Sequence, residues 1–453
     1  MNRINRKIAF FAALTLLLSG LVCFGVAELS TNLKIETVYV RNNQRLVDHQ
    51  TYVDEAGKAV IPSDKGYATV KYTYGTSSLV TQIELLDTQG NLVNGNEGWA
   101  WQKRGYSNGL LAEQSYFDKD GNLAIGTEGY ARLVNEYSAK RLLSTWTYDA
   151  AGKPVGTHRI CEYQPVNGID RLISDTWYDA ENQLVAGPNG YARVEYEYMD
   201  NIRKRIAYIG ADGKPWYNAR AKYATMESEY DHNLIQNTKY YGAEGELIAG
   251  PEGYAMVTYQ HSVKDDRNVR REMYYNADGS LFFTEKGYCG LERIMARGRV
   301  VEARYFTGEN QRGRTTDGYS RTVINYTSTG KVLVQRYYDE KDKAVVAAAF
   351  GYATVKNDYE AGRRIKETAF FDEKGNPIAC NDGYAVIKYQ YKDGYLVEKK
   401  YLDVKGKLVA GPDGYARATY ENNEKGKVLT ERYFDAKDAP LIGNLNADEM
   451  HYT

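Results

Sequence analysis

The chain has 453 residues, with 58 Lys and Arg against 59 Asp and Glu, 42 tyrosines and four cysteines. Residues 1–27 hold three of the basic residues and none of the acidic ones, which leaves the rest at 55 against 59. A chain without a basic surplus lacks the concentrated positive face of a general nucleic-acid binder, so no nucleic-acid partner is expected. Four cysteines over this length exclude a disulfide framework, and none of their spacings is that of a zinc site.

At the N-terminus Arg3, Arg6 and Lys7 precede an uncharged run from Ile8 to Ala27 that contains AFFAALTLLLSGLV. This is the pattern of an export signal, with Gly25 and Ala27 as the small residues before a cleavage point. The run's 20 residues are also enough for one membrane span, so a cleaved signal peptide and a retained N-terminal membrane anchor are both open. In either case the basic flank stays inside and the remainder is exported to the cell surface or beyond. Contact with a membrane is expected only through residues 8–27. Val22 before Cys23 argues against a lipoprotein signal, which places a small residue there.

The rest of the chain repeats itself. A Gly-Tyr or Gly-Trp pair recurs at Gly66, Gly98, Gly129, Gly190, Gly253, Gly287, Gly318, Gly351, Gly383 and Gly414, at intervals of 31 to 34 residues except for two of 61 and 63. The long intervals hide worn copies from Thr157 and Lys222, and an incomplete opener lies near Lys34, which makes thirteen units. Self-similarity at such a period marks a solenoid, propeller or other array. Arrays are stabilised by contacts between neighbouring units and work through the extended surface they expose.

Within a unit, Ala192, Val194, Tyr196 and Tyr198 alternate with Tyr191, Arg193, Glu195 and Glu197, and 68–74 and 385–391 repeat the scheme. Period two with Tyr and Val predicts a half-buried strand. A short polar connection follows, and then a second strand ending in an aromatic pair such as Tyr116-Phe117, Trp177-Tyr178 or Phe370-Phe371. Together they predict a hairpin. Beyond it comes Asp-x-x-Gly, whose last position reads Gly57, Gly90, Gly121, Gly152, Asn182, Gly213, Gly245, Gly279, Asn310, Asp342, Gly375, Gly406 and Asp438. Only residues that readily accept a left-handed backbone occur there, which predicts a positive φ. The leading Asp, as at Asp87 or Asp372, is expected to accept bonds from the turn's own amides. Asp118-Lys119-Asp120-Gly121 has a likeness to a calcium loop, but the ligand spacing and closing Glu are missing, so the plain turn is preferred. A short third extended segment (Lys214-Pro215-Trp216, Asn376-Pro377-Ile378) and a Gly-Pro-x-Gly link complete the unit.

No composition break divides the repeats. The expected fold is all-β: an elongated array of about thirteen β-hairpin repeats of ~32 residues, forming a twisted or coiled antiparallel sheet or solenoid. The expected organisation is residues 1–27 as signal or anchor, 28–446 as one β-repeat domain, and 447–453 as a C-terminal tail without the pattern.

The strand and aromatic-Asp pattern (Tyr148-Asp149-Ala150-Ala151-Gly152, Phe434-Asp435) resembles the YD repeats of bacterial Rhs-type surface and toxin-shell proteins. The stretch 52–62, VDEAGKAVIP with its leading Tyr52, resembles WG repeats. The chain is also similar to tyrosine-rich repeats attached to cell-wall or capsule-polymer enzymes of bacteria. The resemblance implies a β-hairpin array at a bacterial surface and carries over no catalytic residue.

Chemistry is sparse. His49, His158, His232, His261 and His451 occupy unrelated registers without a partnered nucleophile, and no Gly loop leads into a helix to cradle phosphate. No enzyme activity, cofactor or metal is therefore expected. Cys161, Cys289 and Cys380 are read as isolated small hydrophobes with free thiols. The tyrosines admit two readings: cross-strand ladders between units, or outward platforms for sugar rings at Tyr130, Tyr191, Tyr254, Tyr384 and Tyr415. The repeat 287–317 departs most from consensus and is basic, with Arg293, Arg297, Arg299, Arg304, Arg312 and Arg314. Arginine suits bidentate recognition of phosphate or carboxylate, which makes this the candidate patch for an anionic polymer. The expected function is a non-catalytic exported binder of cell-wall or extracellular glycan or anionic polymer. The alternative is a protein-interaction scaffold or spacer at the cell surface, with surface proteins as partners.

Overall fold

The computed structural model describes residues 33–40, 43–360, 363–441 and 449–451. The export segment 1–27, Cys23 and most of the tail 447–453 lie outside them. Among the described residues every regular element is a β-strand, and consecutive strands pair antiparallel as thirteen hairpins. The fold is all-β, as the period-two pattern requires. The described residues form two compact units, one running up to Glu162 together with Asp175–Gly187, the other comprising Tyr163–Ser174 and the chain from Pro188 onward. In both units the construction of the repeat is the same.

Each repeat joins the next over a short, fixed stretch. The second strand of one hairpin pairs three residues with the start of the following one, as in His49↔Lys71, Gln50↔Val70 and Thr51↔Thr69, or Glu398↔Thr419, Lys399↔Ala418 and Lys400↔Arg417. The alanine of Gly-Tyr-Ala is the hinge of this junction. Ala68 donates its amide to Leu86 of its own hairpin at 2.8 Å and accepts from Tyr52 of the preceding one at 2.9 Å, and Ala385 stands likewise between Leu402 and Phe370. These alanines are fully buried, and Cys289 and Ser320 occupy the same position. Backbone packed on both sides leaves room only for a side chain of one or two heavy atoms.

The turns behave as the sequence predicts. Asp118 Oδ1 accepts from the amides of Asp120 and Asn122, and Asp54, Asp87, Asp149, Asp179, Asp339, Asp372, Asp403 and Asp435 repeat the pattern. These bonds hold the Asp118 carboxyl below the usual carboxylate range. The closing residue has a positive φ in twelve of the thirteen units, including Asn182, Asp342 and Asp438 at 61°, 61° and 65°. Asn310 does not. There the strand Arg299–Gly308 runs past the usual end and folds straight back into Gln311–Arg312, so Asn310 belongs to a tight two-residue hairpin instead. The short third segments close as single bridges, such as Ile209↔Pro215 and Phe371↔Pro377.

Aromatic rings fill the interior. In the second unit Tyr191, Tyr208, Tyr223, Tyr240, Tyr254, Tyr274, Tyr288, Tyr305, Tyr319, Tyr337, Tyr352, Phe370, Tyr384, Tyr401, Tyr415 and Tyr433 form one unbroken ladder, with successive centroids 4.6 to 6.3 Å apart. The ladder alternates the tyrosine that opens each repeat, after Gly or at Tyr223 after Lys222, with an aromatic residue near the end of the second strand. The first unit has shorter runs, Trp99–Tyr116–Tyr130 and Trp146–His158–Tyr178. Edge-tilted ring contacts of this kind add to the area they bury. The first Gly of the Gly-Pro link is explained by the same rings: a Cβ at Gly411 would meet the Tyr401 ring at 2.4 Å, and one at Gly187 the Trp177 ring at 2.4 Å.

A second set of tyrosines staples neighbouring repeats at the hairpin tips. Tyr74, Tyr106, Tyr137, Tyr198, Tyr326 and Tyr359 each donate their hydroxyl to a backbone carbonyl of the preceding hairpin, at Val47, Val80, Leu111, Leu172, Val300 and Val332, over 2.7 to 3.1 Å. His261 and Asn422 take the same position, against Ile235 and Leu396.

Candidate functional site

The five rings expected to face outward do not form exposed platforms. Tyr384 and Tyr415 are 7% and 6% exposed, Tyr130, Tyr191 and Tyr254 are half-buried, and all five stand in the aromatic runs. The expectation extended the strand alternation back to the Gly-Tyr pair, but the strand begins only at Arg193, after Gly190 with φ 88°. The backbone rotation at that glycine puts Tyr191 in the same buried cluster as Val194. Burial raises the pKa of the Tyr130, Tyr254, Tyr384 and Tyr415 phenols, with Tyr130 pushed up to about 12. The three cysteines are free and buried, and burial pushes the Cys161 thiol up to about 11.

The six arginines of the divergent repeat divide into two groups. Arg293 contacts Glu272 at 2.5 Å, Arg304 lies between Glu302 at 2.6 Å and Glu292 at 3.0 Å, Arg312 grips Asp342 at 2.7 Å, and Arg314 reaches Glu340 at 2.8 Å. Glu272 and Glu302 are buried, so these pairs belong to the fold. Burial alone would raise the Glu302 carboxyl, but Arg321 and Arg304 hydrogen-bond it and hold it below its usual value. Four of the six predicted guanidinium groups are thus already neutralised. The sequence could not show this, because Arg293, Arg312 and Arg314 pair with carboxylates of adjacent repeats 21 to 30 residues away, and Arg304 reaches Glu292 across its own hairpin.

Arg297 and Arg299 are different. They flank Gly298 in the tip of their hairpin, where Arg297 itself has φ 50°. Both line a cleft of about 320 Å³ together with Arg267, Val301, Val323 and Tyr326. Among the described residues no carboxylate pairs with any of the three guanidinium groups. The Arg299 group lies over the Tyr326 ring at 5.9 Å and against Gly330, where a Cβ would come within 2.2 Å of its Nη2. Stacking on one side and glycine on the other fix its direction. Glu302, which also lines the cleft, is committed to Arg304 and Arg321.

Arg267, which the sequence reading missed, reaches the cleft because of its hairpin's shape. Most hairpins carry a bulge before the tip, as at Glu197/Tyr198 or Gln390/Tyr391. A bulge adds local twist and turns the tip aside. The strands Met256–Lys264 and Arg267–Tyr275 pair without interruption, and the second continues against Gly290–Ala296 over six residues instead of three. The two tips therefore run side by side. The available signal was the length of the segment between Gly253 and Gly287, 34 residues where most repeats have 31 to 33.

No protein family and no curated protein matches the sequence. Among solved structures, the crystal structure of TcdB2-TccC3-TEV is similar at 10% identity and TM-score 0.21, over 88% of this chain and 26% of that chain. A Photorhabdus luminescens Tc holotoxin pore is similar at 10% identity and TM-score 0.20, over 90% of this chain and 22% of that chain. The chain spans about a quarter of the length of either. At these scores the likeness bears on neither the activity nor the assembly of this chain.

Proposed function

We propose that the chain is a non-catalytic, exported repeat protein of the tyrosine-rich bacterial surface type, akin to YD and WG repeats, and that it binds an anionic extracellular polymer through the tip cleft. The reading rests on one observation: among the described residues Arg267, Arg297 and Arg299 converge on one cleft without a carboxylate partner, whereas Arg293, Arg304, Arg312 and Arg314 are paired. A phosphodiester-linked or uronic-acid chain supplies what such a cleft lacks. It offers a charge for the bidentate guanidinium fork and a ring face for Val323 and Tyr326. The buried tyrosine ladder takes no part in binding; it sets the spacing of the tips.

The test is binding of a glycerol-phosphate polymer and of an acidic capsule polysaccharide across a salt series. Arg267→Gln, Arg297→Gln and Arg299→Gln together should weaken binding at least tenfold at low salt and flatten its salt dependence, with an unchanged circular dichroism spectrum. Arg304 is left intact, because Glu302 and Glu292 depend on it. Equal binding by the triple variant, or none by the parent chain at low salt, overturns the reading. In that event the scaffold reading, which the exposed apolar side chains of Ile35, Val38 and Tyr39 favour, replaces it.

A further inference from the structure

Hairpin after hairpin, the leading strand receives on its outer edge the second strand of the repeat before it, at the same three positions. The first described hairpin has the positions, but no neighbour among the described residues. Lys34, Ile35 and Glu36 pair with Val53, Tyr52 and Thr51 just as Thr69, Val70 and Lys71 pair with Leu86, Leu85 and Glu84. Among the described residues, nothing pairs with the other edge of Lys34–Val40. Ile35, Val38 and Tyr39 on this strand are 52%, 45% and 50% exposed. By the same register Tyr39 is the counterpart of the stapling Tyr74, and among the described residues no carbonyl accepts its hydroxyl.

The last hairpin shows the complementary situation. Its second strand, Val428–Phe434, presents Thr430, Glu431 and Arg432 where Glu398, Lys399 and Lys400 receive the next repeat. These three residues are covered by the short strand Glu449–His451, paired as Thr430↔His451, Glu431↔Met450 and Arg432↔Glu449. The tail segment, which has no repeat pattern of its own, therefore stands at the position of the leading strand of a further repeat. Among the described residues it brings neither a second strand nor a stapling tyrosine.

We propose that Glu449–His451 is a replaceable cap, and that the strand Lys34–Val40 of a second copy of this chain displaces it, joining copies head to tail. The register within the repeats dictates the contact. Lys34 faces Arg432, Ile35 faces Glu431, Glu36 faces Thr430, and the Tyr39 hydroxyl donates to the carbonyl of Val428, the position held by Val47 and Val80 for Tyr74 and Tyr106. A Lys facing an Arg is accommodated inside the array already, at Lys400 and Arg417, where Glu398 contacts both. The incoming strand has seven residues against the cap's three and covers apolar side chains that are otherwise in water. A heterologous contact of this kind does not close on itself unless geometry forces a ring, so it yields chains of copies.

The decisive experiment is register-specific crosslinking of full-length chains. A chain carrying Ile35→Cys, mixed with one carrying Glu431→Cys under mild oxidation, should give a mixed disulfide, since facing antiparallel residues have Cα atoms about 4.5–5.5 Å apart. Thr430→Cys in place of Glu431→Cys, one residue out of register and on the opposite face, should not. In sedimentation, deleting residues 449–453 should strengthen self-association about tenfold, whereas Tyr39→Phe should weaken it several-fold without changing the fold. The proposal is overturned if the chain stays monomeric at tens of micromolar with and without residues 449–453, or if crosslinking shows no register preference. It is equally overturned if Ile35→Cys forms no mixed disulfide, which is the result expected if residues 1–32 cover the strand.

Discussion

At the residue scale, the closing position of the turn isolates backbone conformation from packing. Gly375 has φ 86° and Gly213 has φ 76°, and a Cβ built on either meets nothing within 4 Å. Whatever a substitution costs there comes from the left-handed backbone alone. Asn and Asp occupy the same position in other repeats, at 61° to 65°. Gly375→Val should therefore lower stability by about 1–3 kcal/mol, and Gly375→Asn by a small fraction of that. Urea unfolding of the two variants checks the difference; equal losses would mean that contacts, not φ, decide the position. This feature was legible because the restriction to Gly, Asn and Asp has one physical cause. It failed at Asn310 because the strand there runs on into a two-residue hairpin, in which Asn310 takes no positive φ.

At the scale of the element, the tip staples make each hairpin depend on its predecessor. Tyr326 donates to the Val300 carbonyl at 2.8 Å and supports the Arg299 guanidinium with its ring, so its hydroxyl and ring have separate roles. Tyr326→Phe keeps the ring and removes the bond. It should cost about 0.5–1.5 kcal/mol and should leave polymer binding nearly unchanged. Tyr137→Phe, which loses its bond to Leu111 and takes no part in lining the cleft, should cost a similar amount. Thermal melts together with the binding series separate the two effects, and loss of binding in Tyr326→Phe would show that the staple positions the cleft. The strands and their alternation were readable from residues such as Val194 and Tyr196. The staple was not, because its acceptor is a backbone carbonyl 26 residues upstream, and backbone carries no sequence signature. Tyr191 was misplaced for a comparable reason: the break in alternation lies in the φ of Gly190.

At the scale of the whole molecule, the tyrosine content reflects how a repeat array is held together. Each repeat is too small to enclose its own core, so rings from adjacent repeats complete one another, and stability accumulates as nearest-neighbour terms. Thirteen repeats could be counted in the sequence because this requirement recurs at a fixed period. The cleft could not be located, because it depends on which carboxylates fold back onto which arginines and on one hairpin lacking a bulge. The nearest-neighbour picture makes a specific claim about cooperativity in the second unit. Tyr337 is buried and contacts Tyr319, Phe350 and Tyr352, in the middle of the unbroken ladder. Tyr337→Ala should cost about 3–5 kcal/mol as a cavity in the core. Because it interrupts coupling between the repeats on either side, it should also broaden the denaturant transition and lower its m-value. Tyr326→Phe, which leaves the ladder whole, should shift the midpoint at constant m. If Tyr337→Ala also shifts the midpoint alone, the second unit unfolds as a single cooperative body and the ladder is core packing without the coupling role assigned to it.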